Sequence, residues 1–557
     1  MLEGDPSPGS PYTFDLAKVW LSHCKEHHSC GEPLLFTDKK TPLPSRLLDL
    51  DEFPKDVKLV EAREFGESTE YTALSHCWGV NGLPDSSKLT TININDRFSQ
   101  IQFSSLPFNF QHAITITRKL GMRYLWVDAL CILQDSREDW HNEAAKMATT
   151  YSGATLTIAA SIGNDANQGC FTTVERPKTT EQGFVAEICI FEPENPIVIG
   201  NTLSTGDVST IHFYPRTWPQ KLDQWFQGGP LANRGWTLQE NMMSPRILHF
   251  TKGGLFWECR QEYRSEEGYH YIQSKISTDH MTTSKLVHYF TMGRNEDTRS
   301  DRKMFSYSLW YNRIVPNYTN RKLTFTSDKL AAISSIARSM QWQTGWTYLV
   351  GLWSRRIAWG LTWEAKDFQG NVSLSKQRQE RYPSWTWVSH DFEVHWPTLI
   401  EDEENKELGW EASIFEVDWT IESDEGDSFL SVSKAELKIT APINTGWLRS
   451  KGSRNEYGDE HIEGRKWFGA TFTILQSFQF HLDDDIPAQK ITFLQLLNRR
   501  TKVRHKYCCL LLVPADNSKR KYKRVGIGKG SYVEDDVSDK DKFHFFNDFK
   551  VETIVLV

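Results

Sequence analysis

The chain has 557 residues with a formal net charge of −8, 39% of them hydrophobic and 24% charged. That length exceeds one ordinary core and predicts two or three domains. The modest acidic balance excludes a general nucleic-acid binder. The 21 Trp, 31 Phe and 18 Tyr favour large, rigid cores and sticky surfaces over disorder. No apolar stretch approaches the ~20 residues that span a bilayer, so no membrane span is expected. Met1 to Tyr12 is polar and rich in Pro and Gly, without the basic and apolar regions of a signal peptide. Nine cysteines are sparse for this length and odd in number, which suits a reducing compartment, with the cytoplasm as the default.

The first segment, residues 1–65, holds an expected helix from Phe14 to Cys24 and Pro-punctuated loops. Cys24, His27, His28 and Cys30 fall within seven residues, a set able to bind zinc. No second ligand pair is evident nearby. A helix end with incidental histidines is the plainer reading, and no metal site is assigned. From Tyr71 the pattern alternates strand and helix. Tyr71 to His76 reads as a strand, Pro107 opens a helix to Leu120, and Gly121 stops it. Arg123 to Asp128 is the next strand, and Thr155 to Ala160 the third. Helices between strands imply parallel pairing and right-handed crossovers. The strand ends then gather His76, Cys77, Trp78, Asp128, Ser161 and Asp165 along one rim.

Between the second and third strands, Ser136 followed by Asp139 resembles a capping box, with Asp in place of Glu or Gln. Trp140, Ala144, Met147 and Tyr151 make one apolar stripe. Glu143 lies about 60° around the helix from Trp140 and borders that stripe. It reads either as a flanking acid paired with Lys146 or as a carboxylate of raised pKa in a half-buried cleft.

Asn233 to Asn241 leads into a further helix. Ile247 to Thr251 and Leu255 to Arg260 form a strand pair joined through Lys252-Gly253-Gly254. Charged, irregular sequence fills Gln261 to Asp301. Thr326-Ser327-Asp328 precedes a helix from Lys329 to Met340, and strand-like runs such as Phe429 to Val432 and Tyr507 to Val513 follow. The fold class is therefore α/β, a mostly parallel sheet flanked by helices over residues 66–260, with a C-terminal α+β domain over 261–557. Gly526-Ile527-Gly528-Lys529-Gly530 lacks the spacing and the Ser/Thr of a phosphate-binding loop, and no GxGxxG follows an expected strand.

Several ordered motifs resemble the fungal heterokaryon-incompatibility (HET) domain. They are Tyr71-Thr72-Ala73-Leu74-Ser75-His76-Cys77-Trp78-Gly79; Leu125 to Asp135 with Asp139-Trp140, Glu143, Met147 and Tyr151; Gly169-Cys170-Phe171; and Arg234-Gly235-Trp236-Thr237-Leu238-Gln239-Glu240. Leu323 to Leu330 and Tyr382 to Trp387 also resemble stretches common in such proteins. The resemblance implies non-self recognition and programmed cell death, driven by protein partners, with homo-oligomerisation as the switch. It also implies a second mechanism, because HET domains have been suggested to be distant relatives of TIR domains, some of which cleave NAD. Ser136, Trp140 and Glu143 are similar to the Ser, Trp and catalytic Glu of a TIR helix, although Glu143 follows Trp140 by three residues and not four.

On that second reading NAD is the substrate, and no cofactor is assigned. Glu143, Asp128 and Asp135 are the catalytic candidates. Ser75, Trp78, Ser136, Trp140, Arg234, Trp236 and Glu240 are the nucleotide-binding candidates, with Arg234 suited to pyrophosphate and Glu143 to an oxocarbenium-like state. A thiol-based hydrolase built from Cys131, His76 and Asp128 is a third option.

Overall fold

The structure is a computed structural model. It describes residues 9–31, 43–171, 197–202, 208–213, 229–272, 306–365, 379–397, 410–448, 479–482, 489–533 and 549–557, apart from short breaks. The chain divides into two compact units, residues 1–293 and 294–557.

The first unit opens with α1 (Pro11–His27). Ser10 caps it by accepting from the Thr13 amide, Pro11 suits the first turn, and Phe14, Ala17, Trp20, Leu21 and Cys24 form its buried stripe. The strands follow in chain order. They are β1 (Arg46–Asp49), β2 (Asp56–Glu61), β3 (Tyr71–Ser75), β4 (Ile101–Gln102), β5 (Tyr124–Trp126), β6 (Leu156–Ala160), β7 (Ile197–Thr202), β8 (Val208–Phe213), β9 (Arg246–Thr251), β10 (Gly254–Cys259), β11 (Glu262–Ser265) and β12 (His270–Ile272). All except the β7–β8 hairpin join one ten-stranded sheet, ordered β12-β11-β10-β9-β6-β3-β5-β1-β2-β4.

This sheet is mixed, which corrects the expectation of a mostly parallel one. Among the described residues of this sheet, only the pairings β3–β5, β3–β6 and β6–β9 are parallel. Parallel neighbours need crossovers long enough to hold a helix. Such crossovers join the central strands through α2 (Ile94–Ser99), α3 (Phe108–Lys119), α4 (Asp128–Cys131), α5 (Arg137–Gly153) and α6 (Gly235–Met243). The outer strands come from antiparallel pairs instead. β1 pairs with both β2 and β5, and β10 pairs with β9, Gly254 opposite Thr251. The residues before 66 thus supply two strands of the same sheet. The run expected to be irregular from Gln261 carries β11, paired on β10 with Phe256 opposite Ser265, and β12, paired on β11 with Tyr271 opposite Tyr263, registers that no local period announces.

The second unit is sheet-rich. Lys434–Leu448, Gln489–Arg500, Arg504–Pro514, Lys521–Val533 and Lys550–Leu556 pair around into a closed ring, because Lys434–Leu448 bonds both Gln489–Arg500 and Lys550–Leu556. Ile491, Phe493, Cys509, Leu511 and Val525 form a buried cluster on it. The helix Ala331–Thr344 ends at Gly345, whose φ of 70° is a left-handed cap.

The Tyr382–Trp387 stretch is core. Trp385 and Trp387 are buried, the Trp387 indole donates to the Gly351 carbonyl at 2.9 Å, and Trp310 donates to the same oxygen at 3.0 Å. Phe429 to Val432, expected as a strand, is a turn and the stretch after it. Phe429 is held there by stacking on Tyr348 and by Arg338 over its ring.

Candidate functional site

β3 and β5 end side by side in the middle of the sheet, where a reversal of connection leaves a crevice in α/β folds. β3 delivers Ser75, His76, Cys77 and Trp78; β5 delivers Asp128. α6 crosses their ends, bringing Arg234 at its N-cap and Glu240 along its buried face. α5 packs beside it and supplies Tyr151.

The side chains lock together. Ser75 donates to Glu240, and the Arg234 guanidinium donates to the His76 carbonyl. The Trp78 indole donates to Asp128 at 3.1 Å, and the Asp128 carboxylate also accepts from the Ala129 amide at 2.7 Å. The His76 ring lies 3.8 Å from Asp128 and edge-on to Phe110. Tyr151 donates to the Leu74 carbonyl at 3.2 Å.

Burial dominates the electrostatics of this cluster. It pushes the Glu240 carboxyl up to about 7, against the opposing pull of Arg234 and Ser75. It drives the His76 imidazole down to about 4, with Asp128 opposing and Arg234 assisting. Among the described residues, neither buried ring nitrogen of His76 has a hydrogen-bond partner. The arrangement keeps His76 neutral and lets Glu240 gain or lose a proton near neutral pH.

Glu143 sits elsewhere. It is buried at 2% exposure, and its Oε1 accepts from Ser45 at 2.6 Å and from Lys146 at 3.0 Å. Its Oε2 is buried with no partner among the described residues. One turn earlier, Asp139 accepts from Arg46 at 2.5 Å and from the Leu133 amide at 2.7 Å, while Ser136 caps the helix through the Asp139 amide. Asp135 is exposed. It binds the Thr91 hydroxyl and amide, which lower its pKa, and so it ties down a loop. Trp140 and Trp236 are half-buried and meet edge to face at 6.2 Å.

The candidate residues therefore fall into two groups. Ser75, Trp78, Asp128, Arg234 and Glu240 converge; Glu143 and Asp135 belong to separate local networks. Arg46 and Ser45 escaped sequence reasoning, since partners 93 and 98 residues away leave no local pattern. The raised carboxyl is Glu240, and its Ser/Tyr surroundings are invisible in a linear motif. Cys131 is buried with its thiol pushed up to about 12 by burial, which removes the thiolate that a thiol hydrolase needs.

Glycines shape the rim. Gly79 has φ 93°, and a Cβ there would stand 2.9 Å from the Asp165 Cβ. Gly169 has φ 74°, and a Cβ there would lie 2.5 Å from the His112 ring. That ring accepts from the Cys170 amide and stacks on Phe171.

No curated protein and no solved structure matches the chain. Residues 71–240 match the family described as Heterokaryon incompatibility protein (HET). The match starts on the first residue of β3 and ends on Glu240, so it contains the whole converging cluster. Residues 71–240 thus form a domain similar to the heterokaryon incompatibility (HET) family.

Proposed function

We propose that this protein acts in fungal non-self recognition, its HET domain triggering programmed cell death by associating with protein partners. The observation that supports this is the family match over 71–240. The state of the central cluster agrees with it. Ser75, Glu240, Arg234, Trp78 and Asp128 spend their hydrogen bonds on one another and on the backbone, as residues do when they brace a surface. No helix among the described residues is long and apolar enough to cross a membrane. The test is inducible expression of the full chain in a filamentous fungus, with growth arrest and dye uptake as readouts. Glu143→Gln should arrest growth as the wild type does. Loss of arrest by a variant with an unchanged melt sinks the association reading.

One observation favours a second reading, cleavage of NAD. Glu143 presents a buried, unpartnered carboxylate oxygen three residues after Trp140, on the helix that Ser136 caps. On this reading Glu143 stabilises the oxocarbenium-like state as nicotinamide leaves. Concentrated protein incubated with NAD would then release nicotinamide, and Glu143→Gln would not. Absence of release by folded protein removes this reading.

A further inference from the structure

The end of α1 and the end of β10 bring together four ligands, three from one short stretch of sequence and the fourth from far along the chain. Cys24 is in the last turn of α1. His28 caps the helix in extended conformation, with its amide on the Cys24 carbonyl at 3.1 Å. Cys30 sits in the single 3₁₀ turn Ser29–Gly31 that follows, and Cys259 is the last residue of β10. One ligand atom from each, three sulfurs and an imidazole nitrogen, lies within 4.8 Å of every other. The three cysteines are buried, at 0%, 0% and 2% exposure. We propose that Cys24, His28, Cys30 and Cys259 form a structural zinc site that staples α1 to the sheet.

The donor set and geometry fit that ion. A tetrahedral zinc with Zn–S bonds of about 2.3 Å needs ligand atoms roughly 3.5–3.8 Å apart. His28 Nδ1 already stands 3.5 Å from the Cys259 sulfur. Three thiolates and a neutral imidazole around Zn²⁺ leave one net negative charge, which a buried site must offset. Two buried arginines are at hand. Arg246 Nε donates to the Cys24 sulfur at 3.1 Å, and Arg260 lies within electrostatic reach of all three sulfurs.

His23, His28 and Glu262 make a neighbouring group of possible ligands. There Arg264 already forks onto Glu262 through two bonds of 2.9 Å and reaches the His23 ring at 3.3 Å. A cation thus already occupies that carboxylate, and the sulfur cluster is the site. The site would hold α1 where Trp20 meets Trp257, whose ring centroids are 6.4 Å apart.

The test is metal analysis of the full chain, expressed with zinc and purified without chelator. About one zinc per chain is expected, as for other closed four-ligand sites. Cys30→Ser, Cys259→Ser and His28→Ala should each lose most of it, while His27→Ala and Cys131→Ser keep it. Cobalt in place of zinc should give thiolate charge-transfer absorption and strong tetrahedral d–d bands. If the variants do not fold, strong chelation of the wild type must lower its Tm, and added zinc must restore it. A folded, reduced chain that binds neither zinc nor cobalt overturns the proposal. So does a metal-free chain two mass units light, which would mark a disulfide, or zinc retained in folded Cys259→Ser.

Discussion

Ser75, the last residue of β3, donates its hydroxyl to Glu240 on α6 across 165 residues of sequence. The bond joins the start of the family match to its end. It fixes α6 over the strand ends and leaves a buried carboxyl that holds its proton to about pH 7.

This proton gives the first prediction. The folded pKa of Glu240 is raised above its unfolded value of 4.5, so its contribution to stability is complete below pH 4.5 and lost as pH rises through about 7. His76 works in the opposite sense. Its folded pKa is lowered to about 4 from 6.5, so its contribution is complete above pH 6.5 and lost as pH falls towards 4. The two slopes oppose each other from 4.5 to 6.5 in the wild type. In Glu240→Gln, which keeps an acceptor for Ser75, only the His76 slope of this pair remains. The stability of Glu240→Gln relative to wild type should therefore improve from pH 4.5 to 7 and then level off. Denaturant melts across that range measure it, and a pH-independent difference would count against the assignment.

Glu143 gives the second. Its partner Lys146 is 43% exposed, so solvent screens the pair and it contributes at most about 1 kcal/mol. Gln at 143 keeps an acceptor for the Ser45 hydroxyl. Glu143→Gln should therefore melt within a few degrees of wild type. Glu143→Ala removes the acceptor and should cost about 1–2 kcal/mol. A collapse of the Gln variant would show that Glu143 holds the fold by its charge, and its functional use as a probe would fail.

The helices of the first unit were the most legible part of the sequence. Ser136 caps α5 through Asp139, as the capping-box spacing implies, and Gly121 follows α3 with φ 84°. The three central strands were legible too, because aromatic and β-branched runs between helices read locally. Sheet direction was not. β1 reaches β5 through pairs such as Leu48 and Leu125, and nothing near Leu48 announces its partner. The site was legible as a list of residues but not as a grouping. Glu143 and Glu240 look alike in sequence. Only packing reveals that Glu143 meets Lys146, while Glu240 lies beneath Ser75 among buried neighbours. Cys259 is the same kind of case. It completes a ligand set with Cys24, His28 and Cys30, and no spacing rule reaches so far along the chain.

Three glycines of the HET domain give a graded prediction. Gly82 has φ 69°, and a Cβ there would meet nothing within 4 Å, so Gly82→Ala should cost only the left-handed backbone penalty, about 1 kcal/mol. Gly79→Ala adds a 2.9 Å approach to Asp165, and Gly169→Ala a 2.5 Å clash with the His112 ring, itself stacked on Phe171. Their costs should rise to roughly 2–4 kcal/mol. Thermal melts of the three variants should rank Gly82→Ala as the mildest, and any other order contradicts the rim geometry.

The second unit offers the last prediction, at Arg524. Its guanidinium is fully buried, donates to the carbonyls of Leu361 at 2.7 Å and Trp363 at 2.6 Å, and lies 3.5 Å over the Trp363 ring. The planar fork reaches both carbonyls at once, whereas a lysine ammonium carries its donors on one point and cannot stack in the same way. Arg524→Lys should therefore be far from conservative, and Arg524→Ala should leave two buried carbonyls unpaired at a cost on the order of 3 kcal/mol. Guanidinium chloride unfolding followed by tryptophan emission should show an earlier transition for both variants. An unchanged midpoint for Arg524→Lys would mean that charge alone, without the fork, holds this core together.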